Sequence, residues 1–241
     1  MSAAQEQLTA ILTQGAEALD ISMPPDALTA FQTYFDLLES RGKNVNLTTV
    51  TGAQNVARLH FLDSISLLKI EAFSHKRVID IGSGAGFPGI PLKIADPTIT
   101  LTLLDSARKR ITFLSDLCAT LNLSADCVQG RAEDYVHQAG IRESFDIAVS
   151  RALARLNVLS ELCLPYVKVG GIFLAMKSVD SDEELAEADT ALEALGAKLD
   201  KCIDYTIFDT DIKHRAVVIK KISETPEKYP RRFARIQKSP L

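Results

Sequence analysis

Tryptophan is absent from the sequence, and no apolar run approaches the length of a membrane span. The chain is therefore not expected to cross a membrane. Cysteine is sparse: Cys118, Cys127, Cys163 and Cys202 are scattered, with no Cys-x-x-Cys pair. That pattern excludes a disulfide framework and reads as small buried residues in a reducing cytoplasm. Cys and His show no metal-site spacing, so no metal is expected. The start, MSAAQEQLTAILTQ, lacks the basic and apolar regions of a secretory signal, which again points to a cytoplasmic protein. Strong charge of one sign is also missing, with a net charge of −4. What is present is 46% apolar residues in 241, enough for one large α/β domain or a domain with an appendage.

The chain is organised around Val78 to Leu92, VIDIGSGAGFPGIPL. A β-branched run ending in glycines, followed by a proline-started apolar pattern, reads as strand, tight loop and helix. Gly82, Gly84 and Gly86 permit positive φ and close approach of a ligand to the backbone. Gly84, Gly86 and Gly89 also spell a dinucleotide fingerprint, with Asp105 nineteen residues beyond Gly86. Asp80 argues against that ligand. A carboxylate facing the loop repels a pyrophosphate and attracts an ammonium or sulfonium, and Pro88 removes one N–H that a phosphate would use. The order D-x-G-x-G-x-G therefore suits S-adenosylmethionine.

Around this loop the sequence predicts helices over 2–20, from Pro24-Pro25 to about Ser40, and from His60 or Leu62 to Ala72. From Arg77 it alternates. Strands are expected at 77–82, 99–105, 126–130, 145–151, 171–177, 201–208 and 215–222, with helices over 88–95, 107–121, 155–166 and 181–195. This implies a mostly parallel Rossmann-like sheet covered on both faces, ending in an antiparallel hairpin strand after the short turn FDTDIKH. The expected division is a helical segment over 1–73, a ligand-binding α/β domain over 74–222 and a basic tail over 223–241. From Lys213 onward there are nine Lys or Arg against two Glu, a balance of +7 that leaves −11 elsewhere. The tail has no core-forming period and reads as an extended arm suited to RNA phosphates, or as solvated charge. The acidic stretch Val179–Asp211 reads as a solvated face turned away from RNA.

In open α/β sheets ligands sit outside the carboxyl ends of the strands. That rule selects Gly82, Gly84, Gly86 and Phe87 after the first strand, and Asp105 after the second, placed to accept ribose hydroxyls. It also selects Ala132 and Glu133 after the third strand, at the adenine edge, and Ser150 and Arg151 after the fourth. Lys177 follows the fifth. Asp105 also suits a helix cap, and Arg151 a structural clamp. His60 reads as a structural hydrogen-bonder and Asp63 as an acid favoured by the helix dipole.

DIGSGAGFPGIPL, LLDSARKRITFL at 103–114, GRAED at 130–134 and SRALA at 150–154 resemble the bacterial small-subunit ribosomal RNA guanine-N7 methyltransferases, the glucose-inhibited division protein B family. NLTTV at 46–50 and HFLDS at 60–64 belong to the same pattern. The resemblance implies a class I methyltransferase fold and S-adenosylmethionine as cofactor. It also implies a partner in 16S ribosomal RNA or the small ribosomal subunit, met as a monomer. It supports Gly82, Phe87, Ala132, Glu133 and Arg151 as cofactor residues, with Arg151 at the methyl-transfer point. Family members carry Trp-Asn where this chain has Arg41-Gly42. They also have a Gly and Pro where the tail has Phe233 and Ala234.

Absences agree with this chemistry. No Asn/Asp-Pro-Pro-aromatic sequence for amine methylation follows the fourth strand, and no cysteine nucleophile sits at a strand end. Guanine N7 needs neither, since its lone pair is exposed and carries no proton. Three rivals stay open: another methyltransferase on the same fold, a nicotinamide oxidoreductase, and a non-catalytic RNA-binding or assembly factor.

Overall fold

The computed structural model describes residues 2–45, 47–151 and 154–241. Asn46 of the NLTTV stretch and Ala152–Leu153 of the SRALA stretch lie outside the described residues, as do the side chains of 42–45. Helix α1 (Ala3–Ala18) opens with a capping box between Ser2 and Gln5 and buries Leu8, Ile11 and Leu12. Helix α2 (Ala27–Val45) turns Phe31, Tyr34, Phe35 and Leu38 into the core. The third helical stretch begins earlier than its sequence pattern suggests. Helix α3 (Ala53–Val56) continues into a π-helical turn at Ala57–Leu62, a short α4 (Asp63–Ile65) and a 3₁₀ turn at Ser66–Lys69. The widened turn holds His60, and π turns of this kind are frequent at functional sites.

The sheet has seven strands: β1 (Arg77–Ile81), β2 (Thr100–Asp105), β3 (Ala125–Gln129), β4 (Phe145–Arg151), β5 (Val167–Ser178), β6 (Ala197–Thr206) and β7 (Lys213–Lys221). Their order is β3-β2-β1-β4-β5-β7-β6. The β1, β2, β3, β4 and β5 ladders are parallel, and β7 enters antiparallel between β5 and β6. The expected mostly parallel sheet with one antiparallel strand is thus the observed one. Helices α5 (Gly89–Ala95) and α6 (Arg108–Thr120) join the amino-terminal helices in one apolar cluster with Val78, Leu101, Leu103 and Val149 on one face. Helices α7 (Ala132–Tyr135), α8 (Leu156–Cys163) and α9 (Asp182–Ala194) cover Ile79, Ile81, Ala148 and Phe173 on the other. Strand alternation sorts these two sets, as a doubly covered sheet requires.

The expectation of an extended arm or solvated charge is corrected. Tyr229 and Ile236 are buried against the second face, and α10 (Phe233–Lys238) packs near α8. Arg142 donates to the carbonyls of Thr225, Pro226 and Tyr229. Arg231 grips the fully buried Glu161 of α8, with the Nη2–Oε2 contact at 2.6 Å and Nε to Oε1 at 2.8 Å. A basic stretch without apolar period can still be fixed when its charges meet buried partners, and composition does not reveal those partners.

Candidate active site at the carboxyl edge of the sheet

The loop after β1 is built as the sequence suggests. Gly82, Gly84 and Gly86 have φ of +75°, +59° and +106°. At Gly86 a Cβ would lie 2.6 Å from the Tyr34 hydroxyl and 2.8 Å from Ile90, so the position needs glycine twice over. At Gly84 the same Cβ would meet only the Gly82 carbonyl at 3.8 Å, so this backbone is open to a ligand. The loop is latched from two sides. Gly82 and Ser83 donate to the Leu104 carbonyl, and the Tyr34 hydroxyl on α2 donates to the Ala85 carbonyl at 2.5 Å.

Asp80 does not face the loop's exterior, as its position in the motif suggests. It is fully buried. Its Oδ2 accepts from the Gly89 N–H at 2.9 Å, while Oδ1 has no partner among the described residues. Burial raises its pKa to about 7. The Gly89 N–H and Arg151 oppose this, and Asp105 reinforces it.

A cavity of about 160 Å³ opens where β1, β2 and β3 end. Gly82, Asp105, Gly130, Ala132, Leu162 and Phe233 are in its wall. Asp105 both holds the turn into α6 and lines the wall. Oδ1 accepts from the Ala107 N–H at 2.8 Å, and Oδ2 from the Gly84 N–H at 3.0 Å, with Arg110 at 3.3 Å. A carboxylate offers about four acceptor directions, so capacity for a hydroxyl remains. The Ala132 carbonyl accepts from the Tyr166 hydroxyl at 2.6 Å. Glu133 lies in the first turn of α7, half-buried, and is not part of this wall. Phe87 lies deeper: its ring is 5.4 Å from Tyr34 and 4.3 Å from His60, and it carries the Arg151 guanidinium at 4.8 Å. It supports Arg151 rather than lining the cavity.

Beyond Arg151 a larger cleft of about 840 Å³ is bounded by Thr48, His60, Arg151, Lys177, Glu184 and His214. Arg151 Nη1 donates to the Leu59 carbonyl at 3.1 Å and to Asp63 at 3.4 Å, and Nη2 lies 3.2 Å from His60 Nδ1. Burial and the guanidinium lower the His60 pKa to about 4, so the ring is neutral at pH 7. His60 Nδ1 also lies 3.0 Å from the Leu59 carbonyl, and Nε2 is 2.8 Å from Thr48 Oγ1. Asp63, fully buried, also accepts from the Tyr205 hydroxyl at 2.8 Å and meets His214 Nδ1 at 3.0 Å. Lys177 is held by Glu184 at 2.6 Å and the Ala154 carbonyl. The acidic helix thus brings one carboxylate to the cleft, contrary to the expectation that it points wholly away.

Asp63, Tyr205, His214 and Phe233 escape the sequence reading as site residues. His60 and Asp63 share a face at i, i+3 spacing, a signal that was legible. Tyr205 and His214 are register partners across β6 and β7, and only the ladder reveals them.

The sequence model described as GidB, rRNA small subunit methyltransferase G, matches residues 27–206. A protein from Alkaliphilus oremlandii named ribosomal RNA small subunit methyltransferase G is 45% identical over 237 residues, 98% of this chain and 99% of the relative. Its namesake from Clostridium botulinum strain Loch Maree is 44% identical over 96% of this chain and 98% of the relative. Among solved structures, a SAM-dependent methyltransferase from Aquifex aeolicus is similar in fold at TM-score 0.51 and 16% identity, covering 67% of this chain and 90% of that one. A branched-chain polyamine synthase mutein from Thermus thermophilus is similar at 0.55 and 11%, covering 68% and 56%. The glycine loop, the ordered motifs and near full-length identity converge: the chain belongs to the rRNA small subunit methyltransferase G family.

Proposed function

We propose that this chain transfers a methyl group from S-adenosylmethionine to N7 of a guanine in 16S ribosomal RNA, working in the cytoplasm as a monomer. The observation that carries the reading is the juxtaposition at one sheet edge. The ends of β1, β2 and β3 wall a small cavity with an acidic ribose position, and Arg151, at the end of β4, bounds a cleft with room for a nucleotide.

The residues fit the cofactor. Gly84 leaves backbone open to close approach, Asp105 keeps acceptor capacity for hydroxyls, and Asp80 offers a buried oxygen lacking a donor, suited to a cationic ligand. Bound S-adenosylmethionine supplies an electrophilic methyl carbon: the N7 lone pair forms the new bond, sulfur keeps the old bonding pair, and no proton moves. The protein's task is therefore alignment. Arg151 presents donors at the wall of the cleft, and Asp63 offsets its charge, so a guanidinium can orient the base without a strong field opposing the cationic methyl group. His60, neutral, is locked between Arg151 and Thr48 and orients rather than titrates. Rim charges such as the exposed Arg108, Lys109 and Arg232 suit RNA phosphates.

Two results are expected at the cofactor site. Asp105→Ala weakens S-adenosylmethionine binding by about 1.5–3 kcal/mol, the range for bonds to a charged group. Titration calorimetry checks this; unchanged affinity would leave Asp105 as a residue that only holds the loop and the turn into α6. The second concerns pH. Asp80 ionises as pH rises through about 7, and an ionised carboxylate favours a cationic ligand. Affinity therefore rises between pH 6 and 7, by at most about tenfold per unit. Asp80→Asn removes that rise. Parallel pH profiles for the two proteins would contradict it.

The function itself is tested in cells. Ribosomal RNA from a strain lacking this gene should lose one 7-methylguanosine from the small subunit, restored by the wild-type gene. An unchanged modification profile would refute the reading.

A further inference from the structure

We infer that the carboxyl-terminal tail completes the S-adenosylmethionine site, with the Phe233 ring as the wall against which adenine packs. The inference rests on the cofactor reading above and extends it to a segment that its sequence assigns to RNA or to solvent. The matched family region ends at residue 206, well before Phe233.

The cavity wall combines polar groups, the Gly82 backbone, Asp105, Ser106, Arg110 and Arg131, with the apolar side chains of Ile81, Leu104, Ala132, Leu162 and Phe233. The apolar part of the wall cannot satisfy hydroxyls, a carboxylate or an ammonium without leaving buried polar groups unpaired. A flat heterocycle is the part of the cofactor that suits it. Aromatic packing on such a face is favourable and tolerant of exact position.

The ring is also held in place. Two residues before it, Arg231 makes a forked contact with buried Glu161. Three residues after it, Ile236 is fully buried. Outside, the Arg131 guanidinium stands 6.0 Å from the ring centroid. Arg131 itself belongs to the cavity wall, so the end of β3 and the tail meet there. A side chain anchored before, after and above is preorganised to receive a ligand, not a loose end that folds over one.

The test uses the full chain and S-adenosylhomocysteine, which binds without reacting. By calorimetry, Phe233→Ala should lose about tenfold to a hundredfold in affinity, the range for removing an aromatic platform under a base. Phe233→Tyr should retain most of it. Phe233 is only half-buried, and the ligand-free melting temperature reports whether the variants stay folded. Independently of any variant, amides from 229 to 238 in the wild-type protein should exchange hydrogen more slowly when S-adenosylhomocysteine is bound. Phe233→Ala binding within about twofold of wild type, or tail exchange indifferent to ligand, overturns the inference while leaving the cofactor reading intact. A wild-type protein that binds no S-adenosylhomocysteine overturns both.

Discussion

Arg151→Lys is expected to slow single-turnover methyl transfer by about tenfold to a thousandfold, the scale of losing one positioned donor. Folding and most of the cofactor affinity should survive. Lysine keeps the positive charge beside Asp63 but loses the planar fork that reaches the Leu59 carbonyl, Asp63 and His60 together. The Phe87 face beneath the guanidinium, at 4.8 Å, also loses its flat partner. The defect should therefore lie in alignment. The rate falls across the whole pH range, with no new titration, because neither residue is a base. If Arg151→Lys reacts as wild type does, the arginine is a structural clamp and the methyl-transfer point lies elsewhere.

The largest expected loss of stability comes from the carboxyl-terminal tail. Arg231→Ala leaves the Glu161 carboxylate fully buried without its cation, and breaking such a pair from one side costs about 3–5 kcal/mol. The Arg231 backbone N–H still donates to Oε1 at 2.8 Å, which offsets part of the penalty. Combining Arg231→Ala with Glu161→Met should recover much of the stability, since neither charge then remains. Urea denaturation of the wild type, the single variant and the double variant measures this. A single variant as stable as wild type would mean that water reaches Glu161 and the tail anchor is weak.

These two residues differ in how legible they were. Arg151 could be found because a topological rule places strand ends at the site, and strand four could be located by its apolar run. The glycine loop was legible for the same reason, since φ above zero leaves a compositional mark. Asp80 was half legible: its presence marked the loop, but its inward turn toward the Gly89 N–H depends on packing of α5 against β1. Asp63 meets Tyr205 and His214, register partners on the β6–β7 hairpin, from a helix far earlier in the chain, and no local period encodes that meeting. The tail was misread because its order comes from Glu161 and from carbonyl groups bonded by Arg142, partners that composition cannot assign. Its charge is real, yet part of it is spent inside the fold.

Methyl transfer to guanine N7 requires a base that is aligned and not deprotonated. The most direct test mixes the purified chain, in excess over RNA, with S-adenosylmethionine and small ribosomal subunits from the deletion strain, and follows a single turnover from pH 6 to 9. Nucleoside digestion with mass spectrometry identifies the product. The expected product is 7-methylguanosine, formed at a rate that, with cofactor saturating, is flat with pH. A different methylated nucleoside, or a rate rising log-linearly with pH, would contradict it.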